Sequence, residues 1–198
     1  LLGRGFCNYV ESSTGSPVEE AIITVNAPTK STSGSVSIVI GTQPSGQGHE
    51  TSFAQVAADW LGLRLDQINI VIGDTDVVKN GGGSNSGRSM RMASTVIIKA
   101  AEKLIRQARQ LAATFMDVRL DEIKFNQGLF IATGTNRALH LFEIASEMAK
   151  TESREVIPKN LRGSLSVKCD NEMHTQVFPN GSQVCEIEID PDTGAMGI

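Results

Sequence analysis

The segment at residues 41–51, GTQPSGQGHET, constrains the fold of the 198-residue chain more than any other stretch. Before it, Val36, Ile38 and Ile40 alternate with other residues, which predicts a half-buried strand. After it, apolar residues from Phe53 to Leu61 recur at the spacing of one helix face. The segment is therefore predicted to be a glycine-rich loop between a strand and a helix. Such a junction favours an anionic or acceptor-rich ligand, because glycine allows close approach and a helix start presents free N–H groups. An ordinary surface turn is the alternative.

A second junction of the same kind follows. Residues 67–72 alternate in the same way and predict a strand, and the glycine-rich run GGGSNSGRS occupies residues 81–89. From there, apolar residues at spacings of three and four predict a long helix. Two junctions so close in sequence can converge on one extended, phosphate-bearing ligand, so we expect the loops around Gln47 and Arg88 to lie side by side. Neither loop matches a dinucleotide or P-loop fingerprint, which disfavours both of those folds.

The remaining patterns predict an α+β fold with mixed β-sheets, strand–loop–helix units and one long packed helix. Further strands are predicted at residues 6–11, 21–26, 165–169 and 185–189, a hairpin at 122–132, a short helix at 141–148 and a polar loop at 170–181. The charged stretch 151–161 is predicted to be an exposed linker between a subdomain at 1–150 and the start of a following β segment at 162–198. The turn signal at residues 190–194 predicts a returning strand, and since the sequence ends soon after it, we expect a truncated fragment of a longer protein.

Composition excludes several classes of function. The net charge is −4 and no lysine and arginine cluster is present, so nucleic acid is an unexpected partner. No apolar run reaches membrane-spanning length. Cys7, Cys169 and Cys185 are an odd number without CxxC spacing, which predicts neither a disulfide framework nor a cysteine metal site. We therefore expect reduced cysteines and a cytoplasmic protein, with the periplasm as the alternative.

Several side chains in the two glycine-rich runs are suited to binding. The amide of Gln47 can pair with a heterocycle edge or belong to an ordinary turn. His49 either contacts a ligand or is simply exposed. Thr51 can cap the start of the helix, a structural role that is sufficient in itself. Arg88 is the better candidate for a phosphate partner, because a guanidinium and the helix N–H groups can act on one anion. No catalytic and no metal-binding residue is predicted.

Five stretches carry a family resemblance. They are GRGFCNYVE at 3–11, GQGHETSFAQVAADWLG at 46–62, INIVIGDTD at 68–76, GGGSNSGRSMRMAS at 81–94 and FPNGSQVCEIEIDPDTG at 178–194. In this order they resemble the molybdopterin-binding large subunit of the xanthine dehydrogenase, aldehyde oxidase and carbon monoxide dehydrogenase family. The resemblance implies that residues 1–150 bind a molybdenum–molybdopterin cofactor, in its cytosine dinucleotide form, in the full-length parent.

The resemblance also implies roles for individual residues. The pterin side of the cofactor would be contacted by Gly46, Gln47, Gly48, His49 and Thr51. The phosphate and nucleotide side would be contacted by Ser86, Gly87, Arg88 and Ser89. In this second loop the order Ser-Gly-Arg-Ser-Met departs from the family's usual Gly-Ser-Arg-Ser-Thr, so its individual contacts are less closely matched.

The parent would be a molybdenum hydroxylase-type oxidoreductase acting on aldehydes, purines or N-heterocycles, with iron–sulfur and flavin subunits or domains as partners. The family's catalytic glutamate lies in a Gly-x-Gly-Glu segment that this sequence lacks. We therefore expect the isolated chain to hold no complete cofactor and to be inactive. The alternative is a non-catalytic nucleotide-binding, sugar-phosphate-binding or assembly domain.

Overall fold

The computed structural model describes residues 1–11, 15–150 and 155–198. In these ranges the strands are β1 (Leu2–Val10), β2 (Val18–Asn26), β3 (Ser35–Ile40), β4 (Ile68–Val71), β5 (Ile123–Asn126), β6 (Leu129–Ala132), β7 (Ala138–His140), β8 (Ser166–Glu172), β9 (Asn180–Ile189) and β10 (Met196–Gly197). The helices are α1 (His49–Leu61), α2 (Arg88–Met116) and α3 (Leu141–Ala149). The predicted α+β class with one long helix is confirmed.

A four-stranded sheet with the order β4-β3-β2-β8 forms the centre of the molecule. Alternating residues of β2 and β3 are buried, including Ile23 and Ile38, because this face of the sheet packs against α1 and α2. The helices contribute apolar stripes that contain Phe53 on α1 and Leu104 on α2. The predicted periods of both strands and both helices are therefore confirmed.

The parallel pairing of β3 with β4 determines where the two glycine-rich loops lie. Since α1 connects two parallel neighbours, both strands end at the same edge of the sheet. The chain leaves β3 through residues 41–48, which we call the first loop, and leaves β4 through residues 72–87, the second loop. Each loop therefore delivers the start of a helix to that edge.

A second sheet, β5-β6-β7, packs with α3 beside α2. The predicted hairpin is confirmed, with Gln127 and Gly128 at φ 47° and 76° in the two-residue turn between β5 and β6. The same turn abuts the end of α1, where a Cβ on Gly62 would lie 2.2 Å from the Cα of Gln127. No helix in the described ranges is both long and apolar enough to cross a membrane.

The third sheet, β1-β9-β10, is a ribbon whose large apolar side chains face solvent. Phe6 is 81% exposed, and Leu2 and Val184 are exposed on the same face. The carboxylate of Asp190 accepts backbone N–H groups in the turn after β9, and β10 then pairs back onto β9. The returning strand predicted from this turn is therefore confirmed over the two residues of β10.

Two predictions in the C-terminal part need correction. The stretch 151–161 is not exposed throughout, since Ile157 and Leu161 are buried in the core; residues 151–154 lie outside the described ranges. The polar loop predicted at 170–181 is shorter, because β8 continues to Glu172. β8 also pairs with β2, so it extends the central sheet. The division of the chain at 1–150 and 162–198 stays a prediction.

Candidate functional site

The two glycine-rich loops touch each other at the edge of the central sheet. A Cβ on Gly41 would lie 2.2 Å from the Cα of Gly81, so the two backbones meet where a side chain has no room. Further out, Nε2 of His49 lies 3.2 Å from Oγ of Ser84. The prediction that the loops lie side by side is therefore confirmed.

Between the loops lies a cavity of about 430 Å³. It is lined by Glu11, Gln47, His49, Ser84, Asn85, Ser86, Gly87, Ser89 and Met90. Hydroxyl, amide and imidazole groups dominate this lining, and Glu11 is its one carboxylate. That carboxylate accepts the backbone N–H of Ser86 at 3.1 Å, so part of its charge is already compensated within the protein. The cavity suits a polar ligand with both donors and acceptors.

The first loop presents bare backbone at the start of α1. Gly46 and Gly48 have φ values of 106° and 69°, which residues with a side chain rarely adopt. A Cβ at either position would meet nothing within 4 Å, so the space over the backbone is open. The side chain of Gln47 folds back, and its Oε1 accepts the N–H of Ser45 at 2.5 Å. This bond fixes the amide and leaves its NH₂ group as a donor at the cavity.

His49, the first residue of α1, is buried directly after this loop. The residue is 6% exposed, and its ring stacks on Phe53 with centroids 4.8 Å apart. Its Nε2 bonds Ser84, whereas its buried Nδ1 has no hydrogen-bond partner in the described part of the chain. The alternative of a simply exposed histidine is therefore excluded. Thr51, by contrast, is exposed on α1 and does not line the cavity.

The second loop ends in two successive residues of left-handed conformation, Ser86 at φ 48° and Gly87 at φ 65°. They turn the chain into α2, and the N–H of Arg88 bonds the carbonyl of Asn85 at 2.9 Å. Ser89, in the first helical turn, faces Ser84 across 2.6 Å between their hydroxyl oxygens. The backbone of this loop and its serine hydroxyls thus border the cavity at a helix N-terminus.

The side chain of Arg88 does not do what the sequence predicts. It is 1% exposed and does not line the cavity between the loops. Its acceptors are the carbonyl oxygens of Ser16, Val18 and Gly83, the hydroxyl of Thr42 and the carboxylate of Glu19. Because these five bonds match the five N–H groups of a guanidinium, no donor is left for a phosphate. The prediction that Arg88 is the phosphate partner is wrong, and the residue is structural.

Glu19 and Thr42 are the partners that the sequence analysis missed. Both are fully buried, and the Glu19 carboxylate accepts from the Thr42 hydroxyl at 2.6 Å, from the Gly41 N–H at 3.1 Å and from Arg88 at 2.9 Å. We call Glu19, Thr42 and Arg88 the Glu19 cluster. A signal was present in β2, since Glu19 is in phase with the buried residues Ala21 and Ile23. An acid at an inward position requires a buried partner.

No group of three or more histidine, cysteine, aspartate or glutamate side chains suited to a metal ion occurs within residues 1–11, 15–150 and 155–198. Ser84, Asn85, Met90 and Glu11 line the cavity although none of them was predicted as a contact. All four lie inside the stretches that carry the family resemblance. The motifs therefore located the site more completely than the choice of individual side chains did.

Two strand–loop–helix junctions around one polar cavity define a binding domain for an extended polar ligand. Comparison with protein families identifies the family to which this binding domain belongs. The family model described as molybdopterin cofactor-binding domain matches residues 1–198, and the chain belongs to that family. The resemblance found in the sequence motifs is thus confirmed.

Two relatives show how much of a larger protein the chain represents. It is 33% identical over 164 residues to the gamma subunit of the 6-hydroxypseudooxynicotine dehydrogenase complex of Paenarthrobacter nicotinovorans, covering 83% of this chain and 20% of that protein. It is 32% identical over 161 residues to the carbon monoxide dehydrogenase large chain of Afipia carboxidovorans, covering 81% of this chain and 19% of that protein. The chain therefore spans about a fifth of the length of these relatives.

Solved structures show the same fold. The reconstituted CO dehydrogenase from Oligotropha carboxidovorans matches with a TM-score of 0.73 and 28% identity, over 98% of this chain and 24% of that one. Quinoline 2-oxidoreductase from Pseudomonas putida 86 matches with a TM-score of 0.69 and 25% identity, over 98% of this chain and 25% of that one. The arrangement of sheets and helices described above therefore also occurs in these two enzymes.

Proposed function

We propose that this chain forms part of the molybdenum-cofactor site of a molybdenum hydroxylase-type oxidoreductase. The observation that carries the proposal is the cavity shared by both glycine-rich junctions in a chain of the molybdopterin-binding family. The bound cofactor supplies the oxidation chemistry, and the residues of this chain bind and orient it. The catalytic base belongs to a part of the parent protein outside these 198 residues.

The lining of the cavity fits an extended, acceptor-rich and partly anionic group. Gly46 and Gly48 flank Gln47 but do not themselves line the cavity; the open space over their backbone leaves room for a flat ring system beside it, and the NH₂ of Gln47 offers a donor to the ring edge. His49 lines the same side, where its ring, stacked on Phe53, borders the cavity. We assign the pterin side to these four residues.

The second loop supplies the complementary side. Ser86, Gly87 and Ser89 border the cavity at the start of α2, where free N–H groups and the helix dipole favour a phosphate. We assign the phosphate and nucleotide side to these three residues. The side chain of Arg88 is bonded within the Glu19 cluster and does not reach the cavity. Thr51 also lies outside the cavity lining, so neither residue is a proposed contact.

The finer features of the parent are part of the same proposal. The cofactor would be the cytosine dinucleotide form, the substrates aldehydes, purines or N-heterocycles, and the partners iron–sulfur and flavin subunits or domains. Support comes from the relatives, whose names describe a large chain and a complex subunit. A cytoplasmic location is supported by Cys7, Cys169 and Cys185, which are all free thiols.

Metal and pterin analysis of the full-length protein tests this function. We expect stoichiometric molybdenum and pterin, whereas a nucleotide-binding, sugar-phosphate-binding or assembly domain would contain neither.

A matched pair of variants tests the first loop. Gln47→Ala removes the NH₂ donor and is expected to reduce cofactor retention about two- to tenfold, as the loss of one hydrogen bond implies. Gln43→Ala, also exposed in the first loop but outside the cavity lining, is the control.

Both glutamine variants are expected to keep the parental melting temperature, because both side chains are exposed. If the full-length protein contains no molybdenum, the proposed function is wrong. If the Gln47 variant retains as much cofactor as the Gln43 variant, the first loop does not contact the cofactor through this side chain.

A further inference from the structure

Three side chains form a hydrogen-bonded row along the cavity. Nε2 of His49 lies 3.2 Å from Oγ of Ser84, and that oxygen lies 2.6 Å from Oγ of Ser89. All three residues line the cavity. Since His49 opens α1 and Ser89 lies in the first turn of α2, the row connects the two helix starts through Ser84.

The second ring nitrogen of His49 decides which group donates and which accepts in each hydrogen bond of this row. Nδ1 of His49 is buried and has no partner among the residues that the structure describes. A neutral imidazole carries its proton on one nitrogen and accepts on the other. Among backbone groups, buried N–H donors without an acceptor are rarer than buried acceptors without a donor, and the same preference applied to the ring places the proton on Nε2. Nε2–H then donates to Ser84, whose hydroxyl is free to donate to Ser89.

Ser89 stands at the end of the row with its own proton unused. In this direction its oxygen accepts from Ser84, and no other hydrogen bond of its side chain is found within the described ranges. A hydroxyl that accepts a hydrogen bond becomes a better donor, because chained bonds polarise one another. The first turn of α2 adds N–H groups that have no partner within the helix. Ser89 therefore presents a strengthened donor where the helix start favours negative charge.

We infer that His49 and Ser84 orient the hydroxyl of Ser89 as a donor to an anionic oxygen of the bound ligand, a phosphate oxygen in the cofactor. His49 and Ser84 are positioning residues, and Ser89 makes the contact. This inference rests on the proposed function for the identity of the ligand. The direction of the row is a property of the chain itself and can be tested without any ligand.

The first test is the tautomer of His49. Long-range ¹H–¹⁵N NMR of the uniformly ¹⁵N-labelled 198-residue chain distinguishes a protonated Nε2 from a protonated Nδ1. We expect the Nε2–H form, and a Ser84→Ala variant to change the ¹⁵N shift of Nε2. Protonation of Nδ1 in the parent chain would overturn the inference, because the row would then run from Ser89 toward His49.

The second test measures molybdenum and pterin content in full-length variants. Ser89→Ala is expected to lower occupancy on the order of tenfold, as the loss of a hydrogen bond to a charged group implies, and Ser89→Thr, which keeps the hydroxyl, to retain most of it. Ser84→Ala should lower occupancy less. The double variant of Ser84 and Ser89 should match Ser89→Ala alone, because Ser84 acts only through Ser89. Ser94→Ala, half-buried on the same helix and outside the cavity lining, is the control.

Variants of the histidine complete the set. The terminal NH₂ of glutamine reaches the position of Nε2, whereas that of asparagine corresponds to Nδ1. His49→Gln should therefore retain more cofactor than His49→Asn, at a similar melting temperature. Additive losses for Ser84 and Ser89, or equal occupancy in Ser89→Ala and Ser94→Ala, would contradict the inference. A parent protein without molybdenum would instead refute the proposed function and leave the tautomer test to decide the direction of the row.

Discussion

Replacement of Arg88 by alanine should destabilise the fold even when no ligand is present. The guanidinium is 1% exposed and lies 2.9 Å from the fully buried carboxylate of Glu19. The variant removes every donor of the side chain and leaves that carboxylate with the Thr42 hydroxyl and the Gly41 N–H as its remaining partners. A buried charge without its counter-charge is therefore the main consequence.

The size of the effect follows from this burial. Removing one partner of a buried ion pair costs about 3–5 kcal/mol, because the other charge stays buried and unpaired. For a domain of this size, each kcal/mol of free energy lowers the melting temperature by about 2–4 °C. The expected fall in melting temperature is therefore about 6–20 °C. The carbonyl groups of Ser16, Val18 and Gly83 also lose their donor, but Ser16 and Val18 are exposed residues, so the buried carboxylate remains the main cost.

Thermal unfolding followed by circular dichroism measures the change. The matched control is Arg106→Ala on the same helix, since Arg106 is exposed and its ion pair with Glu102 spans 3.9 Å. Exposed pairs contribute at most about 1 kcal/mol, so this control should melt within about 4 °C of the parent. In the double variant Arg88→Met/Glu19→Leu both charges are absent, and most of the stability should return. If Arg88→Ala melts like the control, the guanidinium is not a structural link and the reasoning fails.

Two further predictions concern the loop contact and the C-terminal turn. Gly41→Ala places a methyl group 2.2 Å from the Cα of Gly81 and should lower the free energy of unfolding by about 1–3 kcal/mol. The control Gly197→Ala, where a methyl group meets nothing within 4 Å, should melt like the parent. Equal melting of both variants would contradict the close contact. The Asp190 carboxylate accepts the backbone N–H groups of Thr193 and Asp192. These bonds lower the pKa of Asp190 below the ordinary 3.8. Its contribution to stability is therefore present above the unfolded pKa and is lost as the pH falls through the lower folded pKa; a carboxyl titration by NMR at or above 3.8 would exclude this cause.

Element type could be predicted from the sequence where the pattern is local. The alternation in β3 and β4 and the three-and-four spacing in α1 and α2 each lie within one element, and all four elements were confirmed. The position of both loops at one sheet edge follows from a strand, helix and strand in succession, which form a parallel pair. β7 was missed because three residues are too short to show a period.

The role of Arg88 depends on contacts that no local pattern shows. Its place at a helix start and beside glycines favoured a phosphate contact, and that reasoning used only neighbours in the sequence. Glu19, which lies 69 positions earlier, decides the outcome, because a buried carboxylate needs a buried cation. In the same way, Ile157 and Leu161 lie in a polar stretch of sequence, yet both are buried because they pack into the hydrophobic core.

Two separate sets of bonds tie the same loops together at different depths. The Glu19 cluster lies beneath the loops and is buried, whereas His49, Ser84 and Ser89 lie along the cavity where a ligand would meet them. The deeper set fixes the base of the first loop and the start of α2 before any ligand arrives, which reduces the ordering cost of binding. Variants of the two sets should therefore separate stability from retention. Arg88→Ala should lower the melting temperature of the cofactor-free chain, while Ser84→Ala should leave it nearly unchanged and lower the cofactor content of the full-length protein.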